Sequence, residues 1–226
     1  MDLNGQKFSY QLRHFGLAQA LGRALADFRL LAKYHSLDFY FLELSSGPSV
    51  SSKKLPVLPG LTVREIKAEE TRAFRFADGL LPPEEKWVEA QFARNSRLFA
   101  ILEGDTVIGM NWINETFADL THINRPRVPV PKGFVYSYRA AVAPSYRNRG
   151  IGTLLKQTLV KTLKDEGHRM VFLTVFLKDI VPHRWHRKNG FRKWGRVTYL
   201  DLRVTRFLWT RLTKEGRRCC PGLFHA

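Results

Sequence analysis

The chain has 226 residues, 44% of them hydrophobic and 25% charged. That length forms one sizeable domain with an appendage, or two small domains, and buries roughly 70% of its unfolded surface without disulfide or metal staples. The 16 Phe, 7 Tyr and 5 Trp exclude a solvated disordered polymer, while 16 Gly and 11 Pro without a period exclude collagen-like and repeat architectures. Lys and Arg number 37 against 20 Asp and Glu, a net charge of +17. Such a field attracts nucleic acid, anionic lipid, an acidic protein or a phosphorylated cofactor, and it fits a merely basic solvated surface equally well. The only cysteines, Cys219 and Cys220, are adjacent. Neighbours make a poor disulfide and two ligands make no zinc site, so a reducing compartment is expected. The N-terminal MDLNGQKFSYQLRHFG lacks a continuous apolar stretch, and no apolar run nears the ~18 residues of a spanning helix. A cytoplasmic, soluble protein is the expectation.

In chain order, Leu17, Leu21, Leu25, Phe28 and Leu31 share a helical stripe within residues 10–35. Leu37–Leu44 (LDFYFLEL) is aromatic-rich and predicts a strand, and the Ser, Pro and Gly of residues 45–60 mark a linker. Leu61–Ile66 predicts a strand, Glu69–Ala77 a helix, and Pro82–Ala93 a second helix opened by Pro-Pro. Arg97–Leu102 and Val107–Phe117 predict a hairpin turning at Glu103-Gly104-Asp105, followed by a proline-rich loop over 118–133. Phe134–Val142 is a strand, Gly150–Glu166 a long helix, Met170–Phe176 a strand, and 180–188 a helix. Val197–Val204 is the last predicted strand, and Arg206–Lys214 an amphipathic tail. The alternation gives a mixed α/β fold, a central sheet covered by helices. The expected organisation is an N-terminal helix-strand extension and linker over 1–58, the main domain over 59–205 and a basic tail over 206–226.

The chemistry concentrates in Tyr138–Thr153, YRAAVAPSYRNRGIGT. A strand ends at Pro144, a basic turn follows, and Gly150 and Gly152 open a helix. The first helical turn leaves backbone N–H groups without partners at the positive end of the macrodipole, and glycine admits an anion close to them. Arg147 and Arg149 would add charge-assisted contacts to a phosphate or pyrophosphate. The spacing is neither a P-loop nor the GxGxxG dinucleotide fingerprint.

The strand, AVAP, Tyr146, Arg147-x-x-Gly150-x-Gly152 and the long helix closely resemble the acyl-CoA-binding motif of the GNAT N-acetyltransferase superfamily. Downstream, Trp185–Phe191 (WHRKNGF) resembles that family's aromatic-x-lysine-x-Gly-Phe signature. The likeness covers about residues 61–204. It implies a mostly antiparallel mixed sheet, splayed in the middle and flanked by helices, and the transfer of an acetyl or longer acyl group from acyl-CoA to an amine by direct attack. It places the pyrophosphate on the amides of Arg147, Asn148, Arg149, Gly150, Ile151 and Gly152, helped by Thr153. The pantetheine would pair with the strand edge at Ala141, Val142 and Ala143. His186 stands where the family often has a tyrosine acid on the departing thiolate, and an imidazolium could serve there. Asp179 stands where the family commonly has an asparagine contacting the cofactor arm. Glu115, Tyr138 and His122 are the candidate general bases, and no metal is implied.

The acceptor would be a small-molecule or protein amine, with an acidic or anionic one favoured by the charge. Two alternatives are a GNAT-like module that has lost catalysis and binds acyl-CoA or nucleic acid, and an acyltransferase fed by an acidic acyl carrier protein docked on the basic surface. Residues 1–58 could pack on the sheet, extend it or form a homodimer contact.

Overall fold

The computed structural model describes residues 33–44, 58–80, 84–119, 127–201 and 206–214. The helix expected over 10–35, most of the 45–60 linker, His122 and both cysteines lie outside the described residues, although Lys33, Tyr34 and His35 are strand.

Eleven strands and three α-helices are present among the described residues. Six strands are β1 (Lys33–Glu43), β2 (Leu61–Ile66), β3 (Arg75–Phe76), β4 (Arg97–Glu103), β5 (Thr106–Asn114) and β8 (Phe134–Val142). With β9 (Met170–Phe176), β10 (Arg192–Asp201) and β11 (Arg206–Leu212) they form one sheet. Its order is β11-β10-β1-β9-β8-β5-β4-β2, with β3 added beside β5. Neighbours are antiparallel except β8 with β9 and β3 with β5. A separate ribbon joins β6 (Phe117–Asp119) to β7 (Arg127–Pro129).

Side chains alternate across this sheet and build a core on each face. One face carries Tyr40, Leu42, Phe99, Ile101, Val135, Val171 and Leu173, packed against helix α2 (Ile151–Asp165) through Ile151, Leu155, Leu159 and Leu163. The opposite face carries two clusters. Phe39, Phe41, Phe134, Phe172 and Trp194 gather with Ala118 and Val130 at the ribbon, and Leu98, Ala100 and Trp112 gather under helix α1 (Glu85–Phe92). Helix α3 (Ile180–Lys188) follows β9. Among the described residues no helix is long and apolar enough to cross a membrane.

Four elements differ from the sequence reading. Residues 69–77 do not form an α-helix. A 3-10 stretch, Ala68–Ala73, starts where the Lys67 N–H donates to Glu70 Oε2 at 2.8 Å, and it stops at the extended Phe74. The Arg75 and Ala77 N–H groups then bond Asp105 and Val107 across the start of β5, so a strand wins over the helix. The loop of 118–133 contains the β6–β7 ribbon, seated by buried Ala118 and Val130. Strand β10 begins at Arg192, because Lys193 and Arg196 bond Asp38 of β1 at 2.6 and 2.7 Å and Trp194 is fully buried. The tail after Arg206 is β11, an edge strand rather than a free amphipathic segment. A Cβ on Gly195 would lie 2.8 Å from the Arg211 carbonyl, so glycine is what lets β11 pair there. The sheet therefore runs through all three expected segments, and β1 stands inside it, between β9 and β10.

At the C-terminal end of α2, Arg97 bonds Glu65 (2.8 Å), Glu166 (2.7 Å) and Glu115 (3.1 Å), tying β4 to β2, to the helix end and to the turn after β5. These hydrogen bonds hold the Glu65 and Glu166 carboxyls below their ordinary value of 4.5. A carboxyl held low in the folded state stabilises the fold above its unfolded value, and that stability is lost as pH falls through the folded value. Arg97→Met is expected to cost about 1–3 kcal/mol at neutral pH, since the cluster is only partly buried. It should also flatten the acid-side fall in melting temperature below pH ~4.5. Calorimetric melting of both proteins from pH 3 to 7 measures both effects.

Candidate active site

Strands β8 and β9 pair from Phe134 with Met170 to Tyr136 with Phe172, and there the pairing stops although both strands continue. Two local features part them. In β8, Arg139 and Ala140 together oppose Asn111 of β5, a bulge in which Arg139 has a φ of 49°. A left-handed non-glycine residue and an extra residue both bend a strand. The Arg139 guanidinium lies 4.2 Å from the Trp87 ring centroid, which anchors the bulge to α1. On the far side, β1 pairs with β9 from Glu43 to Leu37 and keeps its outer half in the sheet. The gap becomes a cleft of about 460 Å³ between β8, the start of α2 and α3.

Its mouth is the loop from Pro144 to Gly150. Gly150 is the N-cap of α2 with a φ of 83°, and no side chain caps the helix. The first N–H groups of a long helix thus face the cleft beside Arg147, whose Nε donates to the Val142 carbonyl at 3.1 Å. Gly152 leaves the helix start open toward Trp185, where an added Cβ would meet Val142 and Trp185 at 3.4 and 3.5 Å. Donors that no side chain caps, the positive helix end and a basic side chain together make an arrangement that can hold an anion.

The inner end is lined by Asn111, Lys156 and His186. Lys156 is 2% exposed, and its Nζ donates to Asn111 Oδ1 at 2.7 Å and to Ser137 Oγ at 2.9 Å. Burial with no carboxylate partner lowers its pKa to about 7. His186 is buried, and its Nδ1 has no hydrogen-bond partner among the described residues. Desolvation, with smaller contributions from Lys156 and His183, pushes its pKa down to about 3. The imidazolium expected from the sequence is therefore replaced by a neutral ring at working pH. His183 is occupied elsewhere: the Tyr40 hydroxyl donates to its Nδ1 at 2.9 Å, and its Nε2 donates to the Phe176 carbonyl at 2.9 Å. Tyr40 also stacks on His186, so β1 backs the cleft.

Of the residues singled out from sequence, Ala141, Val142, Arg147, Asn148, Gly150, Ile151, Gly152, Thr153 and His186 line the cleft. Ala143 is buried beneath it, bonding Ile108, and Arg149 turns outward over the Tyr146 ring. Asp179 sits at the N-cap of α3 and does not line the cleft. The Tyr138 hydroxyl lies on the α1 side of the sheet, bonded to Gln91 and Ser96 at 2.9 Å. Glu115 is not brought to the cleft either. Asn114 Oδ1 accepts the N–H groups of Thr116 and Phe117, and this turn points Glu115 at Arg97 near the other end of α2. Asn111, Ser137 and Lys156 were not picked out from the sequence. The signal for Lys156 was there, since it falls on the apolar stripe of α2 with Leu155, Leu159, Val160 and Leu163.

Comparison of the chain with known proteins agrees with this architecture. A GCN5-related N-acetyltransferase from Sphaerobacter thermophilus superposes with a TM-score of 0.51 at 17% identity, over 86% of this chain and 57% of its own. A Drosophila protein superposes with a TM-score of 0.52 at 16% identity, over 83% of this chain and 58% of its own. A functionally unknown conserved protein from Staphylococcus epidermidis gives 0.52 at 12% identity, over 79% of this chain and 66% of its own. The chain thus spans less than two thirds of the length of each, and at these identities the likeness is one of fold. No curated protein matches it in sequence. Residues 63–191, more than half of the chain, match the acetyltransferase (GNAT) family, and the chain belongs to that family.

Proposed function

We propose that the protein moves an acetyl group, or a longer acyl group, from acyl-CoA to an amine by direct attack within a ternary complex. The parting of β8 from β9, with an uncapped glycine-led helix at the mouth of the gap, carries this reading. The N–H groups of Ile151, Gly152 and Thr153 would hold the pyrophosphate, with Arg147 beside it. The edge of β8 at Ala141 and Val142, left free by β9, would pair with the pantetheine amides and lead the thioester inward. Holding donor and acceptor in one cleft supplies proximity, and backbone N–H groups at the bulge can polarise the thioester carbonyl. The acceptor nitrogen attacks that carbon, the C–N bond forms, and the C–S bond breaks. No covalent intermediate on the protein is needed.

Calorimetric titration with CoA, acetyl-CoA and a long-chain acyl-CoA, at low and at physiological salt, tests the reading. Saturable one-to-one binding that survives salt is expected, because a buried pyrophosphate exchanges few counterions. A nucleic-acid surface would instead lose affinity steeply. Absence of binding by all three ligands would overturn the assignment.

A further inference from the structure

Lys156 is the titratable group at the inner end of the cleft whose protonation is poised near neutrality, and its surroundings are fully defined. It projects from α2 toward Asn111 on β5, Ser137 on β8 and the Phe191 ring, whose centroid is 5.7 Å from Nζ. His186 faces it from α3 as a neutral ring. The pair Asn111 and Ser137 is uncharged, so no anion fixes the ammonium. Two of the three N–H groups of a protonated Lys156 are taken by Asn111 and Ser137, and the third has no partner among the described residues. The depth also fits. Ser137 is five residues back along β8 from Val142, or about 16 Å at ~3.3 Å per residue. An extended pantetheine arm running along that edge from the start of α2 would bring its sulfur toward this region.

We infer that the third N–H of the Lys156 ammonium protonates the sulfur that leaves when the acyl group is transferred, a role that rests on the acyl-CoA reading above. As the acceptor nitrogen bonds the carbonyl carbon, the C–S bond breaks, its electron pair goes to sulfur, and sulfur takes the proton from Nζ. The resulting neutral amine keeps both fixed hydrogen bonds and presents its lone pair to the cleft. It then takes up the proton shed by the acceptor nitrogen, which restores the ammonium. Each turnover thereby moves one proton from nitrogen to sulfur. His186, neutral and with an unpartnered Nδ1, shapes the pocket wall without supplying this proton.

The probes are CoA and desulfo-CoA, which differ at the sulfur alone, titrated at pH 6, where Lys156 is the ammonium, into the wild-type protein and into Lys156→Met and Lys156→Gln. Asn111 and Ser137 also bond each other, at 3.1 Å, so removing the amine leaves both partnered. The wild type should prefer CoA by roughly 10-fold, the size of one charge-assisted hydrogen bond. Both variants should bring that ratio to about one while binding desulfo-CoA as the wild type does. The unchanged desulfo-CoA affinity reports an intact fold and helix start, which a merely structural role for Lys156 would not leave in place. A CoA preference that persists in the variants, or is missing from the wild type, overturns the role of Lys156. Failure of the wild type to bind either probe overturns the acyl-CoA reading instead.

Discussion

Gly150→Glu is expected to raise the acetyl-CoA dissociation constant by more than ~100-fold and to leave the melting temperature within a few degrees of wild type. Three effects act together. Gly150 caps α2 at a φ of 83°, a conformation that costs a non-glycine residue roughly 1–2 kcal/mol. The new side chain enters the mouth of the cleft, where the loop and the first helical turn converge. Its carboxylate then stands at the positive helix end and caps the N–H groups that a pyrophosphate would need, so attraction for an anion becomes repulsion. Gly150→Asn separates these contributions, because asparagine tolerates the left-handed region and brings no charge. It should weaken binding by about 10-fold or less, within the range of a lost hydrogen bond. Calorimetry with acetyl-CoA on both variants decides the matter. Wild-type affinity in Gly150→Glu would move the anion site away from the start of α2.

What the sequence made legible was local. Periodicity and punctuation place β2, β8, β9 and α3 at their observed bounds and α2 to within a residue, because each carries its own local pattern, with Gly or Pro marking several of the ends. The open, glycine-led start of α2 was legible for the same reason: a helix start is a local object. Side-chain direction at the inner end was not. It depends on the turn at Asn114, which sends Glu115 toward Arg97, and on which face of β8 meets α1, the face that Tyr138 shares with Phe134 and Tyr136. Tyr138 and Glu115 were candidates by position along strands, and position along a strand does not say which face meets which helix. Lys156 shows the reverse case. Its place on the apolar stripe marked it as buried, but the two acceptors that make burial tolerable come from β5 and β8, 45 and 19 residues away. His186 was found by its place in the chain, while its neutral state follows from burial and, to a smaller degree, from Lys156 beside it, neither of which a linear reading supplies.

Strand order was the least legible feature, and it sets the largest expected effect on stability. Removal of residues 1–58 should leave a chain that does not melt cooperatively, although it retains the whole family match at 63–191. β1 pairs on one edge with β9 over seven residues and on the other with β10 over nine. Without it β10 and β11 lose their attachment to the rest of the sheet, and two central strand edges are exposed. Leu37, Phe39 and Phe41 leave one core, and Tyr40 and Leu42 leave the other, all of them less than a twentieth exposed. At about 1.5–3 kcal/mol for each buried side chain, these five alone are comparable to the 5–15 kcal/mol that holds a typical domain together. Asp38 goes too, and with it the carboxylate that Lys193 and Arg196 share, and so does the Tyr40 hydroxyl that fixes His183 and the base of α3. Phe41→Ala is the graded form of the same experiment. Phe41 is fully buried, with its ring centroid 5.8 Å from that of Trp194, and its truncation should cost about 3–5 kcal/mol. Thermal melting and acetyl-CoA titration of the fragment and of Phe41→Ala give the measurement. A fragment that melts sharply and binds acetyl-CoA like the full chain would show that β9 holds the far wall of the cleft by itself, and β1 would then be an addition to the sheet instead of one of its supports.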